Sequence, residues 1–94
     1  MTIILSPLAR EDLSQAYDWI AQDSVARAEG LLARIFDVLG LLASGALMGR
    51  EVRLQDGRRM RTWPAPPYRI YYVEGIETLR VLRVYHQARR PIEE

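Results

Sequence analysis

The sequence contains no cysteine, no lysine and only one histidine, and each shortage excludes a kind of chemistry. A chain without cysteine forms neither disulfides nor thiolate metal sites, so a reducing cytoplasm is the compartment that we expect. A single histidine supplies too few nitrogen ligands for a structural zinc site. We therefore expect no metal and no other cofactor.

The sequence also lacks a hydrophobic run long enough to span a bilayer. Its longest apolar stretch, residues 31–42, is interrupted by Arg34 and Asp37, whereas a membrane-spanning helix needs about 20 mostly apolar residues. Residues 1–5 lack the basic segment and the cleavage site of a secretory signal peptide. We expect a cytoplasmic protein with no membrane partner.

The composition is that of one folded domain. The chain has 94 residues, of which 49% are hydrophobic. This length allows one modest hydrophobic core and is too short for two separate ones. We therefore assign residues 1–94 to a single domain.

The net charge of +1 conceals a strong asymmetry along the chain. Residues 1–49 hold three arginines and six acids, a net charge of −3, whereas residues 50–90 hold ten arginines and four acids, a net charge of +6. Glu93 and Glu94 contribute the remaining −2. A bias in overall composition would not place the arginines in one half, so their clustering indicates a surface suited to phosphate or carboxylate partners.

The first half of the chain predicts one short strand and two helices. Residues 2–5 are typical of a strand, and Ser6 followed by Pro7 is typical of a helix start. Apolar residues then recur at helical spacing to about residue 22, and a second helix follows from a cap at Asp23-Ser24 to about residue 43. Their short connection predicts an antiparallel helical hairpin. The helical side chains expected in the core are Leu13, Tyr17, Ile20, Leu32, Ile35 and Leu39.

The second half switches to the period of strands. Residues 51–55 and 58–63 flank Asp56-Gly57, a dipeptide that favours the type I′ turn of a two-residue hairpin. Prolines break the connection over residues 64–67, and two further strands follow at residues 68–74 and 78–86. The predicted order is β-α-α-β-β-β-β. We expect an α+β fold in which an antiparallel meander, joined by the first strand, packs against the N-terminal helical hairpin.

The last two predicted strands carry arginine, tyrosine and histidine where a sheet with one buried face would carry assorted polar residues. Alternation along the final strand places Arg80 with His86 on one face and Arg83 with Tyr85 on the other. It likewise places the two arginines of residues 59–61 on one face of their own strand. Trp63 and the tyrosines of residues 68–72 are expected to be core or interface residues more often than base-stacking ones.

Five different short motifs follow one another along nearly the whole chain. They are residues 5–13, in which a strand runs into a helix with an acidic-leucine pair, then Gly49-Arg50, residues 59–61, residues 67–72 and residues 82–90. In this order and spacing they resemble the RelE/ParE superfamily of toxins from bacterial type II toxin–antitoxin modules. The predicted helical hairpin followed by a meander also fits that superfamily.

The resemblance implies one of two mechanisms. RelE-like members are ribosome-dependent mRNA endonucleases, and ParE-like members poison DNA gyrase and are not known as nucleases. Residues 86–91 are closer to the ParE form, although Gln87 replaces a glycine common at that position, and the lysines usual in the RelE form are absent. We therefore predict a ParE-like toxin that inhibits DNA gyrase, blocks replication and is neutralised by a cognate ParD-like antitoxin.

Two alternatives stay open. A RelE-like enzyme would act on mRNA in the ribosome, where a metal-free RNase needs a base, an acid and cations on the reacting phosphate. Its catalytic residues would be Arg61, Arg83 and His86, since histidine alone has an ordinary pKa suited to proton transfer near neutrality. A structural role at the end of the strand is the other interpretation of His86. The second alternative is a degenerate toxin that only binds its antitoxin.

Other basic and aromatic residues are candidates for binding the antitoxin or the target. They are Arg59, Arg69, Arg80, Tyr85, Arg89 and Arg90. Antitoxins of this superfamily are typically small proteins whose C-terminal segment folds against the toxin, and acidic residues of such a segment would pair with arginine. A solvated face with weak ion pairs to Glu51, Glu74 and Glu77 accounts for some of these arginines equally well.

Overall fold

The computed structural model describes residues 1–88 and Ile92, and within them the chain forms two helices and five strands. In chain order these are β1 (Thr2–Leu5), α1 (Pro7–Ala21), α2 (Val25–Ser44), β2 (Arg50–Arg53), β3 (Arg59–Ala65), β4 (Tyr68–Glu74) and β5 (Thr78–His86). The predicted order of elements is confirmed, and β1, β4 and β5 have the predicted bounds.

Two serine side chains determine where the helices begin. The Oγ of Ser6 accepts a hydrogen bond from the N–H of Ala9 at 3.0 Å, and the Oγ of Ser24 accepts one from Arg27 at 3.2 Å. Each bond satisfies a backbone donor that the first turn of a helix leaves unpaired. α2 ends at Gly45, whose φ of 82° is a left-handed conformation that glycine adopts at little cost.

The five strands form one mixed sheet in the order β1-β5-β4-β3-β2. Strands β2 to β5 make an antiparallel meander, and β1 joins it in parallel beside β5. The helical hairpin covers one side of the sheet, called here the helix face, and this confirms the predicted α+β architecture. The core between them contains Ala9, Leu13, Ala16, Leu31, Ile35, Leu39, Leu42, Ala65, Tyr68, Ile70, Tyr72, Leu79, Val81 and Val84.

The opposite side, called here the helix-free face, carries a second and smaller hydrophobic cluster. Its buried members are Val52, Leu54, Met60 and Tyr71, against which Leu82, Tyr85 and Ile92 pack. The carbonyl oxygen of Ile92 accepts a hydrogen bond from the N–H of Gln55 at 2.9 Å. Both faces of β4 are therefore covered in its middle, which explains why the three consecutive residues 70–72 are all buried.

The turn between β2 and β3 differs from the prediction. The N–H of Leu54 donates to the carbonyl of Arg58 at 2.8 Å, and the N–H of Gly57 donates to the carbonyl of Leu54 at 2.9 Å. Three residues therefore lie between the paired positions, and Gly57 has a φ of 90° while Asp56 keeps a negative φ. A type I′ turn needs positive φ at both central residues, so the predicted turn is wrong. The Asp56 carboxylate stabilises the observed turn by accepting the N–H of Arg58 at 2.9 Å.

The predicted break at Pro64 is also wrong, because β3 continues through it to Ala65. Pro64 lies opposite Arg69 of β4, whereas β2 pairs only with residues 59–62. At Pro64 the strand is therefore an edge strand, where a residue without an N–H interrupts no ladder of hydrogen bonds.

A β-bulge in β5 changes which side chains share a face. Tyr71 lies opposite Arg83, but the next residue of β4, Tyr72, lies opposite Val81. Leu82 is thus an extra residue in β5, and alternation restarts after it.

The bulge overturns the prediction that Arg80 and His86 share a face. Arg80 precedes it and lies opposite Val73 on the helix-free face, whereas His86 follows it and lies opposite Tyr68 on the helix face. Residues directly opposite each other in antiparallel strands point to the same side. Arg80 therefore joins Arg83 on the helix-free face.

The start of α1 protects the open edge of β5. β1 pairs with β5 only as far as Val81, so the following residues would expose unpaired backbone groups. The N–H of Ser6 donates to the carbonyl of Val81 at 2.9 Å, and its hydroxyl donates to the carbonyl of Leu82 at 2.8 Å. Six residues further along the chain, the Asp12 carboxylate accepts the N–H of Val84 at 3.0 Å.

Gly49 is held from two sides just before β2. Its N–H donates a hydrogen bond to the hydroxyl of Tyr72 at 2.7 Å, and its carbonyl oxygen accepts one from Nη1 of Arg61 at 2.8 Å. Burial raises the pKa of the Tyr72 phenol, so the hydroxyl stays protonated at neutral pH. A Cβ at this position would lie 2.8 Å from the Tyr72 hydroxyl oxygen and closer still to the carbonyl oxygen of Thr62. Only glycine permits this approach.

We predict that Gly49→Ala lowers the free energy of unfolding by about 1–3 kcal/mol, because the added methyl group overpacks a buried site. Urea denaturation followed by circular dichroism measures the change. Gly30→Ala is the control, since nothing lies within 4 Å of a Cβ added there. In the interior of a helix that substitution should raise stability by about 0.5–1 kcal/mol. A stabilising effect at Gly49 would contradict the packing described above.

Candidate functional site

Arg83 of β5 makes a two-point ion pair with Asp12 of α1. Nε lies 2.7 Å from Oδ2 and Nη2 lies 2.9 Å from Oδ1. The Asp12 side chain is 9% exposed and that of Arg83 is 26% exposed, and the hydrogen bonds to Asp12 raise the pKa of Arg83. The guanidinium carbon also lies 5.2 Å from the centroid of the Tyr85 ring. Arg83 thus ties the first helix to the last strand.

His86 lies at the end of β5 on the helix face. Its Nδ1 accepts the N–H of Ala88 at 3.0 Å, and its ring meets the ring of Tyr68 edge-on with centroids 5.0 Å apart. In the neutral imidazole this bond leaves the proton on Nε2. A cavity of about 430 Å³ separates His86 from α1, and Trp19 forms part of its rim.

Arg61 lies on the helix face of β3, toward the other side of the sheet. Besides the bond to Gly49, it lies directly opposite Glu51 of β2 and Tyr72 of β4. Its side chain is half-buried. One of its guanidinium nitrogens is therefore used to hold the segment that precedes β2.

The structure does not bring Arg61, Arg83 and His86 together. Arg61 lies beside Tyr72 and His86 lies beside Tyr68, and four residues of strand separate these tyrosines by about 13 Å. Arg83 occupies a helix-free-face position of β5, and its guanidinium is held by Asp12 at the edge of that strand, whereas Arg61 and His86 occupy helix-face positions. The three side chains proposed for a nuclease thus do not surround one phosphate.

Three of the residues predicted to bind a partner do share the helix-free face. Arg69 lies opposite Tyr85, and its Nη1 lies 3.4 Å from the hydroxyl oxygen of Thr62, which donates to the carbonyl of Ile70 at 2.9 Å. Arg80 is exposed on the same face. Arg69 and Arg80 make this face cationic beside Tyr85, whereas the charge of Arg83 is paired with Asp12. Arg89 and Arg90, predicted as binding residues, lie outside the described residues.

Arg59 lies on the helix face with Arg61, as alternation predicted, and directly opposite Arg53 of β2. Both Arg53 and Arg59 are exposed. Within residues 1–88 and Ile92, neither guanidinium makes a hydrogen bond or an ion pair. The two cations therefore face each other across the hairpin.

Sequence reasoning missed two residues that matter here, Asp12 and Arg53. Asp12 is separated from Arg83 by 71 residues, and its only signal was the acidic-leucine pair in the segment that resembles the toxin superfamily. Arg53 was missed because the two-residue turn predicted for the hairpin does not place it opposite Arg59.

The described residues contain no group of three or more histidine and acidic side chains that could hold a metal ion. Neither of the helices within them is long and apolar enough to cross a membrane.

Comparison with known proteins gives one family. A model described as the ParE toxin of the type II toxin–antitoxin system parDE matches residues 3–91. A comparison with curated proteins found no match.

Among solved structures, the fold is similar to a chain of the chromosomal ParDE TA system from P. aeruginosa. The TM-score is 0.72 and the identity 18%, with 92% of this chain and 95% of that chain covered. It is also similar to the YoeB dimer from Staphylococcus aureus, with a TM-score of 0.62, 15% identity and the same coverage of 92% and 95%. At such low identity these likenesses describe the fold alone.

We predict that Asp12→Ala lowers the free energy of unfolding by about 3 kcal/mol, because it leaves Arg83 and the N–H of Val84 without their partner. Chemical denaturation measures the loss. Glu11→Ala is the control, since Glu11 is exposed and, among residues 1–88 and Ile92, accepts a hydrogen bond only from Gln15 on the same helix. This variant should stay within about 0.5 kcal/mol of wild type. Equal effects of the two substitutions would refute the structural role of the ion pair.

Proposed function

The chain belongs to the ParE toxin family of type II toxin–antitoxin systems, and from this membership we propose that it inhibits DNA gyrase and so blocks DNA replication. A toxin of such a system has an antitoxin partner. We propose that this partner is ParD-like and neutralises the toxin by binding to it. The match of the ParE family model to residues 3–91 is the observation that carries the proposal.

The arrangement of the candidate residues supports a binding function over a catalytic one. The family resemblance implies that the toxin inhibits gyrase by binding and not by catalysis. Such a toxin needs a surface complementary to its target and no acid–base site. An mRNA endonuclease would need Arg61, Arg83 and His86 around one phosphate. Arg83 is instead committed to Asp12, and His86 lies at the far end of β4 from Arg61. We therefore place cleavage of mRNA on the ribosome second.

The helical hairpin offers a surface for the antitoxin. Of the six helical side chains expected in the core, Leu13, Ile35 and Leu39 are buried, whereas Tyr17, Ile20 and Leu32 are only half-buried. Leu13, Tyr17, Leu32 and Phe36 line an open groove of about 430 Å³ between α1 and α2.

We propose that an apolar segment of the antitoxin fills this groove, because an unfilled apolar groove on a small domain is typical of an interface. Phe36, which is 46% exposed, would be its main contact.

The proposed target gives a direct prediction. Purified toxin freed of antitoxin should abolish the supercoiling activity of purified gyrase and cause cleaved DNA to accumulate in the same gel. Antitoxin mixed with the toxin beforehand should prevent both effects, and it serves as the control. Growth arrest should also disappear in cells that carry a toxin-resistant gyrase.

Undiminished supercoiling, with toxin that still binds its antitoxin, would contradict the gyrase proposal. Cleavage of ribosome-bound mRNA in a parallel reaction would then favour the endonuclease, and its loss in His86→Ala would assign the catalysis. Activity in neither assay would favour the degenerate toxin.

The proposed antitoxin groove gives another prediction. Phe36→Ser should weaken antitoxin binding by about tenfold or more, as expected for loss of an aromatic contact at the centre of an interface. Leu41→Ser is a matched control, because Leu41 lies on the same helix, is also 46% exposed and does not line the groove. Isothermal titration calorimetry measures both affinities. Equal losses for the two variants would place the antitoxin elsewhere.

A further inference from the structure

Arg53 and Arg59 form a like-charge pair that the fold itself does not need. They lie directly opposite each other in the β2–β3 register, and both side chains are exposed. Like charges in directly opposite positions destabilise a pair of strands. In the part of the chain that the structure describes, neither guanidinium has a carboxylate partner. A bound anion would turn this repulsion into attraction.

The surrounding hairpin supplies little negative charge to offset the pair. Residues 50–61 contain five arginines and two acids, a net charge of +3. The Asp56 carboxylate already bonds Nε of Arg58 at 2.7 Å, and Glu51 lies opposite Arg61. Among residues 1–88 and Ile92, no carboxylate therefore occupies the guanidinium donors of Arg53 and Arg59.

The surface of the hairpin is polar throughout, and this indicates the class of ligand. Its apolar side chains, Val52, Leu54 and Met60, are buried in the second cluster. The exposed large hydrophobic side chains of the described residues all lie outside residues 50–61. A protein partner normally requires an apolar centre in the interface, whereas a phosphate backbone is bound through charge alone. The hairpin thus favours a nucleic acid.

The shape of the hairpin agrees with duplex DNA. β2 is the outermost strand of the sheet, so β2, β3 and their turn at Gly57 form a two-stranded ribbon at its rim. The major groove of B-DNA, about 12 Å wide, admits a ribbon of this kind. Guanidinium groups can each hold a phosphate through two parallel hydrogen bonds.

We infer that Arg53 and Arg59 bind phosphates of duplex DNA, so that the toxin contacts the DNA on which its target acts as well as the target protein. This inference rests on the proposal that the target is gyrase. The hairpin would contact the phosphate backbone of the DNA and would not distinguish base sequences.

Fluorescence anisotropy with a labelled DNA duplex of about two helical turns tests the inference on the full chain freed of antitoxin. The double variant Arg53→Gln/Arg59→Gln should bind the duplex about tenfold more weakly at low salt. The slope of log affinity against log salt should fall in magnitude by about 2, because each phosphate contact contributes about 0.9 to it.

The control is Arg10→Gln/Arg27→Gln, which removes the same charge from two exposed positions on the helices. It should bind DNA as the wild type does and keep the same salt slope. The melting temperature of each variant shows whether a loss of DNA binding comes from a loss of folding. Loss of the repulsive pair should leave the melting temperature of the hairpin variant unchanged or raise it.

Four results would overturn the inference: no DNA binding by the wild type, wild-type affinity in the hairpin variant, an equal loss in the control, or tighter binding of single-stranded RNA than of the duplex. Weakened antitoxin binding with intact DNA binding would assign the pair to the antitoxin instead. A gyrase assay run in parallel keeps the two proposals apart. DNA binding through the pair, without inhibition of supercoiling, would refute the proposed target and leave the DNA contact standing.

Discussion

The Asp12 carboxylate is the group on which the arrangement of helices and sheet depends. β5 is longer than the strand beside it, and an open edge in the middle of a small domain would expose unpaired backbone groups. One carboxylate accepts hydrogen bonds from the N–H of Val84 and from Nε and Nη2 of Arg83. This one group neutralises a half-buried cation, positions α1 and extends the edge protection that Ser6 begins.

With α1 fixed in this way, the molecule presents two chemically different surfaces. The helical hairpin has an apolar groove around Phe36, whereas the β2–β3 hairpin at the rim of the sheet is cationic and has its apolar residues turned inward. The two proposed partners divide between these surfaces, the antitoxin at the groove and DNA at the β2–β3 hairpin. An apolar groove binds an amphipathic segment, and a polar cationic ribbon binds phosphates.

Regular periodicity made most of the fold predictable. The serine caps, the helical spacing of apolar residues and the strand-like runs located every element, because these signals act within a few residues. Two local departures were not predictable from the same signals. The Asp56 side chain favours a three-residue turn over the two-residue turn typical of Asp-Gly, and Leu82 forms a bulge. Each shifts the register by one residue and so changes which side chains meet.

By itself the sequence determined the order of elements, the caps and the concentration of arginine in the second half, since each of these depends only on residues close together in the chain. Only the tertiary structure decided the partners of the arginines. Arg83 meets an aspartate 71 residues away, Arg80 and His86 point to opposite faces, and Arg53 faces Arg59. The physical reason is that strand periodicity specifies a face only while alternation is unbroken, and it carries no information about which element packs against that face.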